Sequence, residues 1–242
     1  MKRIVVENLS KKFYIGSNQR GQFLSKALCA ISGRAQTKEL WALVDVSFSV
    51  LAGEMIGIIG KNGAGKSTLL SVIAGIYERS GGTLTVNGKV ISVIGLVNGL
   101  RDRLTMRDNI YLCCALFGLS RRTTNERFDS IVELTELTEY TETKLYQFSA
   151  GMKARLVFSM AIHCDPEILL FDEIIANLDI DFVERGKKTL SDLRKKGVTI
   201  LSVSHIPSIM HDCNRILWLH EGRLIEEGPS EEIIKRYWKE HA

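Results

Sequence analysis

No run of apolar residues in the 242-residue chain nears the roughly 18 needed to cross a membrane, and its opening residues do not read as a signal peptide. If the chain works at a membrane, something else is expected to hold it there. A disulfide or metal framework is missing too. The cysteines, at positions 29, 113, 114, 164 and 213, are odd in number, form no CxxC pair and have no histidine at a ligand spacing, the pattern of reduced thiols in a cytosolic protein. Strong charge of one sign is absent: a net charge of +4 is too small to argue for nucleic acid, and none is expected as a partner. No repeat or low-complexity tract appears. What remains is a chain with 45% hydrophobic residues, enough to bury the core of one large domain or of two subdomains around a shared site. Its charge is unevenly spread. Residues 1–41 hold eight Lys/Arg against two Glu, a balance of 8 − 2 = +6, so the other 201 residues are slightly acidic.

The stretch Gly60–Thr68, GKNGAGKST, lies between a short apolar run, GEMIGIIG, and STLLSVIAGI, whose apolar residues fall at helical spacing. The order strand, glycine-rich turn, helix gives the pattern GxxxxGK[ST] a mechanism. Gly60, Gly63 and Gly65 let the backbone curve around phosphates, and successive N–H groups at the helix start point at the anion. Lys66 supplies mobile positive charge to the outer phosphates, Ser67 offers a hydroxyl to Mg²⁺, and Thr68 can reach a phosphate oxygen.

A second apolar run, EILLFDE (Glu167–Glu173), follows the turn signal Asp165-Pro166 and ends in two carboxylates. In open parallel sheets ligands sit at the carboxyl ends of strands, and neighbours along a strand point to opposite faces. Asp172 is therefore expected to hold Mg²⁺ through water, and Glu173 to activate the attacking water. A third run, VTILSVSH, ends at His205, which would bond the γ-phosphate or orient Glu173 and the water. QFSAGMKARLVFSMAIH, from Gln147, opens another helix with Ser149 as N-cap and Gly151 leaving room for close approach, a second helix N-terminus built to face an anion.

GKNGAGKST, SAGMK, ILLFDE and SVSH, in this order, resemble the ATPase cassette of ABC transporters over nearly the whole chain. The resemblance implies an α/β fold: a P-loop ABC-type ATPase core, its mixed sheet flanked by helices, with an inserted helical subdomain. It implies ATP and Mg²⁺ as ligands, ATP hydrolysis coupled to transport, and a head-to-tail homodimer. Each ATP would lie between Gly60, Lys61, Asn62, Gly63, Ala64, Gly65, Lys66, Ser67 and Thr68 of one copy and the signature Ser149, Ala150, Gly151 and Met152 of the other. Asn177-Leu178-Asp179 falls at the family's D-loop, with Asp179 its acidic residue. An aromatic is expected on adenine. Tyr14, 52 residues before Lys66, is favoured because it ends the first strand, and Trp41, 25 before Lys66, is the other candidate.

Two departures narrow the resemblance. Most cassettes place a glutamine in the loop joining core to helical subdomain. Here that loop reads ISVIGLVNGLRDRLTMRDNIYL (Ile91–Leu112), no Gln occurs from 37 through 146, and the nearest amide is Asn98. The second departure is a basic insertion, residues 15–40, with Leu24, Leu28 and Ile31 at helical spacing. It reads either as a helix packed on the domain or as an element facing the inner leaflet. Both departures resemble the ATPases that export capsular polysaccharide, O-antigen or teichoic acid. IGLVNGLRDRLTMRDNI is similar to their VGL-x-GGF…LTGRENI, and WALVDVSF (Trp41–Phe48) to their WAL or FAL before DVSF. That resemblance implies a peripheral subunit on the cytoplasmic face of the bacterial inner membrane, two copies of a separate membrane permease, and a lipid-linked polysaccharide as cargo. Some O-antigen ATPases add a C-terminal sugar-binding domain; with Ala242 as last residue, none is expected. The alternatives are a transporter ATPase for a lipid, drug or nutrient, and a soluble ABC ATPase. Soluble types carry two cassettes or split one with a long coiled coil, whereas these motifs fit within 146 residues, Gly60 to His205.

The expected organisation is a single ABC ATP-binding domain, 1–242, with core segments 1–96 and 165–242 and a helical subdomain at 97–164. Helices are expected at Arg107–Phe117, Asn125–Leu137 and Ser230–Trp238. The carboxylate assignment has a direct consequence. Glu173→Gln should bind Mg·ATP but hydrolyse it at least roughly 100-fold more slowly, because the water loses its base. Steady-state phosphate release measures this, and near-normal turnover would remove Glu173 from that role.

Overall fold

The computed structural model describes residues 1–15, 38–172, 180–204 and 207–241. Two strands of 14 residues, β1 (Lys2–Ile15) and β2 (Lys38–Leu51), run antiparallel from the pair Lys2–Leu51 to the pair Ile15–Lys38. Ile15 and Lys38–Leu40, expected in the insertion, are therefore strand residues. The helix expected around Leu24, Leu28 and Ile31 lies outside the described residues. β4 (Gly81–Val86) takes the other edge of β1, giving the order β2-β1-β4. Ile4 and Val6 point inward while their neighbours stay more exposed, the period of two that a one-sided sheet imposes.

The second sheet has the order β5 (Val90–Ser92), β6 (Ile168–Asp172), β7 (Thr199–Val203), β3 (Met55–Ile59), β8 (Arg215–His220), β9 (Arg223–Pro229). All its pairings are parallel except the last. Continuous apolar runs such as MIGII and ILLF suit strands covered on both faces. Ile56, Ile58, Ile168, Leu170 and Leu201 meet helix α1 (Lys66–Ile73) and the antiparallel sheet in one core. Met55, Ile59, Leu169, Phe171 and Ile200 join the helices on the opposite side. The central sheet is thus the middle of three layers.

Between β5 and β6 stand α2 (Val93–Gly99), α3 (Met106–Leu116), α4 (Arg121–Thr135) and α5 (Ala150–His163). The segment expected as a loop at 91–112 is largely helical, since Val93 and Leu96 have a core to enter. α3 and α4 begin one and four residues before the sequence-based bounds because their caps lie upstream. Thr105 and Asp108 form a reciprocal capping box, and Ser120 Oγ accepts from Thr123 N at 3.0 Å. Buried Asn109 accepts from Arg101 N at 2.8 Å and donates to Thr105 O at 2.8 Å, fixing the turn between α2 and α3. α6 (Ile180–Lys195), α7 (Pro207–His211) and α8 (Ser230–His241) complete the described α-helices. Among the described residues Cys113, Cys114, Cys164 and Cys213 are buried free thiols, and no helix is long and apolar enough to cross a membrane.

Phe158, on α5, ties the layers together. Its ring stacks on Phe171 of β6 with centroids 5.8 Å apart and meets Phe182 of α6 edge-on at 5.6 Å. Phe158→Ala should cost about 3–5 kcal/mol of unfolding free energy, the transfer term plus the cavity. Urea titration checks this; a loss below about 1 kcal/mol would mean that the strand–helix junction does not depend on this ring.

Candidate functional site

Three stretches of backbone meet where no side chain fits. At the end of β3, Gly60 adopts φ +147°, and a Cβ there would lie 2.2 Å from Leu219 O. Gly65, φ +100°, precedes α1, and its Cβ would lie 2.5 Å from Ala42 O. Gly222, φ +78°, sits in the β8–β9 turn with its Cβ direction 2.7 Å from the same carbonyl. Gly222 N donates to Ala64 O at 3.1 Å, and Val44 N donates to Gly222 O at 2.8 Å. β2, the glycine-rich loop and the β8–β9 turn are thereby locked together. Gly63, φ +82°, meets no atom within 4 Å of its Cβ position among the described residues beyond its chain neighbours, so on this side the described part of the loop is open. The first N–H groups of α1 have no acceptor within the helix. Lys66 is buried, and its ammonium donates to Gly60 O at 2.7 Å and Lys61 O at 3.1 Å. Ser67 is exposed and Thr68 half-buried at the helix start. A curved chain of amides with a lysine drawn across it is an anion cradle.

Asp172 ends β6 in register with Val203 of β7, and Val203 pairs with Ile58 of β3. The carboxylate therefore stands level with the residue two before Gly60, two strands away, or roughly 10 Å. Hydroxyl and carboxylate oxygens are the hard donors that suit Mg²⁺. Glu173, Asp179 and His205 lie outside the described residues. Ser149 caps α5 as its sequence suggests, its Oγ accepting from Met152 N at 3.2 Å. Ser149 and Ala150 are exposed, and Gly151 and Met152 half-buried, so this second helix N-terminus opens to solvent. The side chain of Asn98 is outside what the structure describes.

The two aromatic candidates share one face of the β1–β2 hairpin. Lys12 pairs with Trp41 and Tyr14 with Glu39, and the residues of each strand are two apart. Tyr14 is 51% exposed and Trp41 47%, so both rings offer surface to a ligand. Trp41 adjoins Ala42, whose carbonyl faces Gly65.

Several contributors escaped the sequence reading. Glu221-Gly222 is a two-residue hairpin turn with positive φ at both positions, a signal that EG between two apolar runs does carry. Glu136 carried no such signal. It caps α4 at φ +59° and its carboxylate pairs with Arg155 of α5 at 2.9 Å and Arg185 of α6 at 2.7 Å. Both guanidinium groups also lie over Phe182, at 5.1 and 6.0 Å. The helix bearing the Ser149 N-terminus is thus fastened to the helix that follows residues 173–179.

Comparison with known proteins adds three findings. The family model described as ABC transporter matches residues 43–176. The O-antigen export system ATP-binding protein RfbB of Klebsiella pneumoniae is 42% identical over 197 residues, 81% of this chain and 80% of that protein. The teichoic acids export ATP-binding protein TagH of Lactococcus lactis is 36% identical over 238 residues, 98% of this chain but 51% of that protein, so the chain spans about half of this relative's length. Among solved structures, a dimeric ATP-binding cassette in a post-hydrolysis state with ADP and Pi superposes with a TM-score of 0.78 over 94% of this chain and 98% of that one, at 21% identity, a likeness of fold. An ATP-binding subunit of an ABC transporter gives 0.75 at 25% identity, covering 97% of this chain and 92% of that one.

The glycine lock separates two substitutions of equal chemistry. Gly63→Ala meets open space and should cost only the roughly 1–2 kcal/mol of an L-residue at positive φ. Gly65→Ala adds a backbone collision of the overpacking kind, about 1–3 kcal/mol more. Denaturant titration of both variants measures the difference, and equal losses would show that β2 can yield.

Proposed function

The chain belongs to the ABC transporter family, and from that premise we propose that it is the ATP-hydrolysing subunit of an exporter for a lipid-linked surface polysaccharide of the O-antigen, capsule or teichoic-acid class. The observation that carries the reading is that relatives at 42% and 36% identity are both named for export of such polymers. The anion cradle at Gly60–Thr68 supports the nucleotide chemistry.

The amides of Gly63–Thr68 receive the phosphates, and Lys66 exchanges its loop carbonyls for phosphate oxygens. Ser67 and Asp172 would hold Mg²⁺, which would supply charge neutralisation on the phosphates. Glu173 takes the proton of the attacking water, and His205 orients it. Ser149, Ala150, Gly151 and Met152 face the nucleotide held by a second copy, and Asp179 lies along that interface. ATP then favours the closed pair of copies, and its hydrolysis reopens them. A membrane permease, two copies per complex, takes up this motion against the face around 91–112, where Val97, Leu104 and Leu116 are exposed. The chain would sit on the cytoplasmic face of the inner membrane, with residues 15–40 toward the lipid.

The test is genetic. Deleting the gene, or substituting Lys66→Ala, should leave the polymer synthesised but retained inside the cell on its lipid carrier. Surface staining and lipid extraction read this. Normal surface polysaccharide with loss of nutrient uptake or drug resistance would replace export of a polymer with another cargo.

A further inference from the structure

One face of the β1–β2 hairpin carries a two-by-two grid. Lys12 stands opposite Trp41, and Tyr14 opposite Glu39, so the aromatics lie on one diagonal and the charges on the other. The charged diagonal is closed: Lys12 Nζ lies 3.0 Å from Glu39 Oε1. The same ammonium lies 5.2 Å from the centroid of Tyr14 and 5.4 Å from that of Trp41. One cation therefore serves both rings while an ion pair tethers it. The Tyr14 hydroxyl and the Glu39 carboxylate raise the Lys12 pKa above its ordinary value, so the ammonium stays charged throughout the neutral range. A stacked base needs an aromatic face at van der Waals contact, and a cation needs that same face. No second site of this composition is required for the conflict to matter, since Trp41 adjoins the carbonyl that locks the phosphate cradle.

We propose that Lys12 is a specificity-determining competitor for the base: it covers the Tyr14–Trp41 platform when no nucleotide is bound and must leave the rings for adenine to stack. The proposal rests on the reading that one or both of these aromatics receive the base. Displacing the cation is a cost that every base must meet, so a base that stacks strongly overcomes it and a base that stacks weakly does not. Tethering to Glu39 decides how far the ammonium withdraws.

The experiment is calorimetric titration of the full chain with Mg·ADP, and with tripolyphosphate as the base-free probe. Lys12→Met keeps the side chain's length and removes the charge. It should bind ADP about two- to fivefold more tightly, the release of an exposed cation–π contact, with tripolyphosphate affinity unchanged. Lys12→Arg, which restores a cation over the rings, should return ADP affinity to the parent value or below. The gain from Lys12→Met should vanish when Tyr14→Leu and Trp41→Leu are also present. Unchanged or weaker ADP binding in Lys12→Met, with the fold intact by circular dichroism, overturns the proposal and would make Lys12 a bystander or a ligand of the base. If Tyr14→Leu and Trp41→Leu leave ADP affinity untouched, singly and together, the platform reading itself fails and takes the proposal with it.

Discussion

Everything at the nucleotide end depends on one steric constraint: three backbones approach so closely that only hydrogen fits between them. Gly60 against Leu219, and Gly65 and Gly222 against Ala42, leave no room for a methyl group. The consequence is registration. A strand of the antiparallel sheet, a turn of the central sheet and the phosphate loop cannot slide past one another without separating the bonds Gly222 N to Ala64 O and Val44 N to Gly222 O. Side chains would give such a junction compliance, because rotamers can adjust. Backbone on backbone gives none. The cradle is therefore held by parts of the chain more than 150 residues apart in sequence, Leu219 and Ala64 among them.

The same junction sets the proposed base platform, Tyr14 and Trp41, relative to the glycine-rich loop. Trp41 is one residue from the locked Ala42, while Tyr14 is reached through the cross-strand pair with Glu39. Proximity to the lock thus weighs toward Trp41, against the preference that the strand end gives Tyr14. The grid makes the choice less sharp, since a ligand on one ring cannot ignore Lys12 and Lys12 touches both. On the other side of the molecule Glu136 performs a softer version of registration. Its two ion pairs are partly exposed and individually weak, yet both converge with Phe182 on one spot. Partly exposed ion pairs of this kind separate at less cost than a buried backbone interlock.

What the sequence made legible is what local chemistry writes. Apolar runs MIGII, ILLF and TILSV announced covered strands, and GKNGAGKST between strand and helix announced the cradle. Ser149 announced its own helix. The start of α4 is hidden because its cap, Ser120, precedes the polar first turn RRTT, with no apolar periodicity to mark it. Partners distant in sequence were invisible. Nothing local to Gly222 says that it opposes Ala42, and nothing local to Glu136 says that Arg185, 49 residues on, awaits it. Lys12 read as one more basic residue among eight until strand register set it between two rings.

The missing glutamine gains a physical setting from the same view. A loop residue that reaches for a metal transmits motion through one flexible side chain. In this chain the connection after β5 is α2, whose Val93 and Leu96 are buried in the core that also holds Phe158 and Met160 of α5 and Leu169 of β6. Close-packed interiors move as bodies rather than deform. A displacement at the carboxyl end of β6, where Asp172 stands, would then reach α2 and α5 together through packing, with no single polar contact required. α5 is the helix whose N-terminus carries Ser149, so the end of β6 and the element proposed to face a second copy are joined through one packed core.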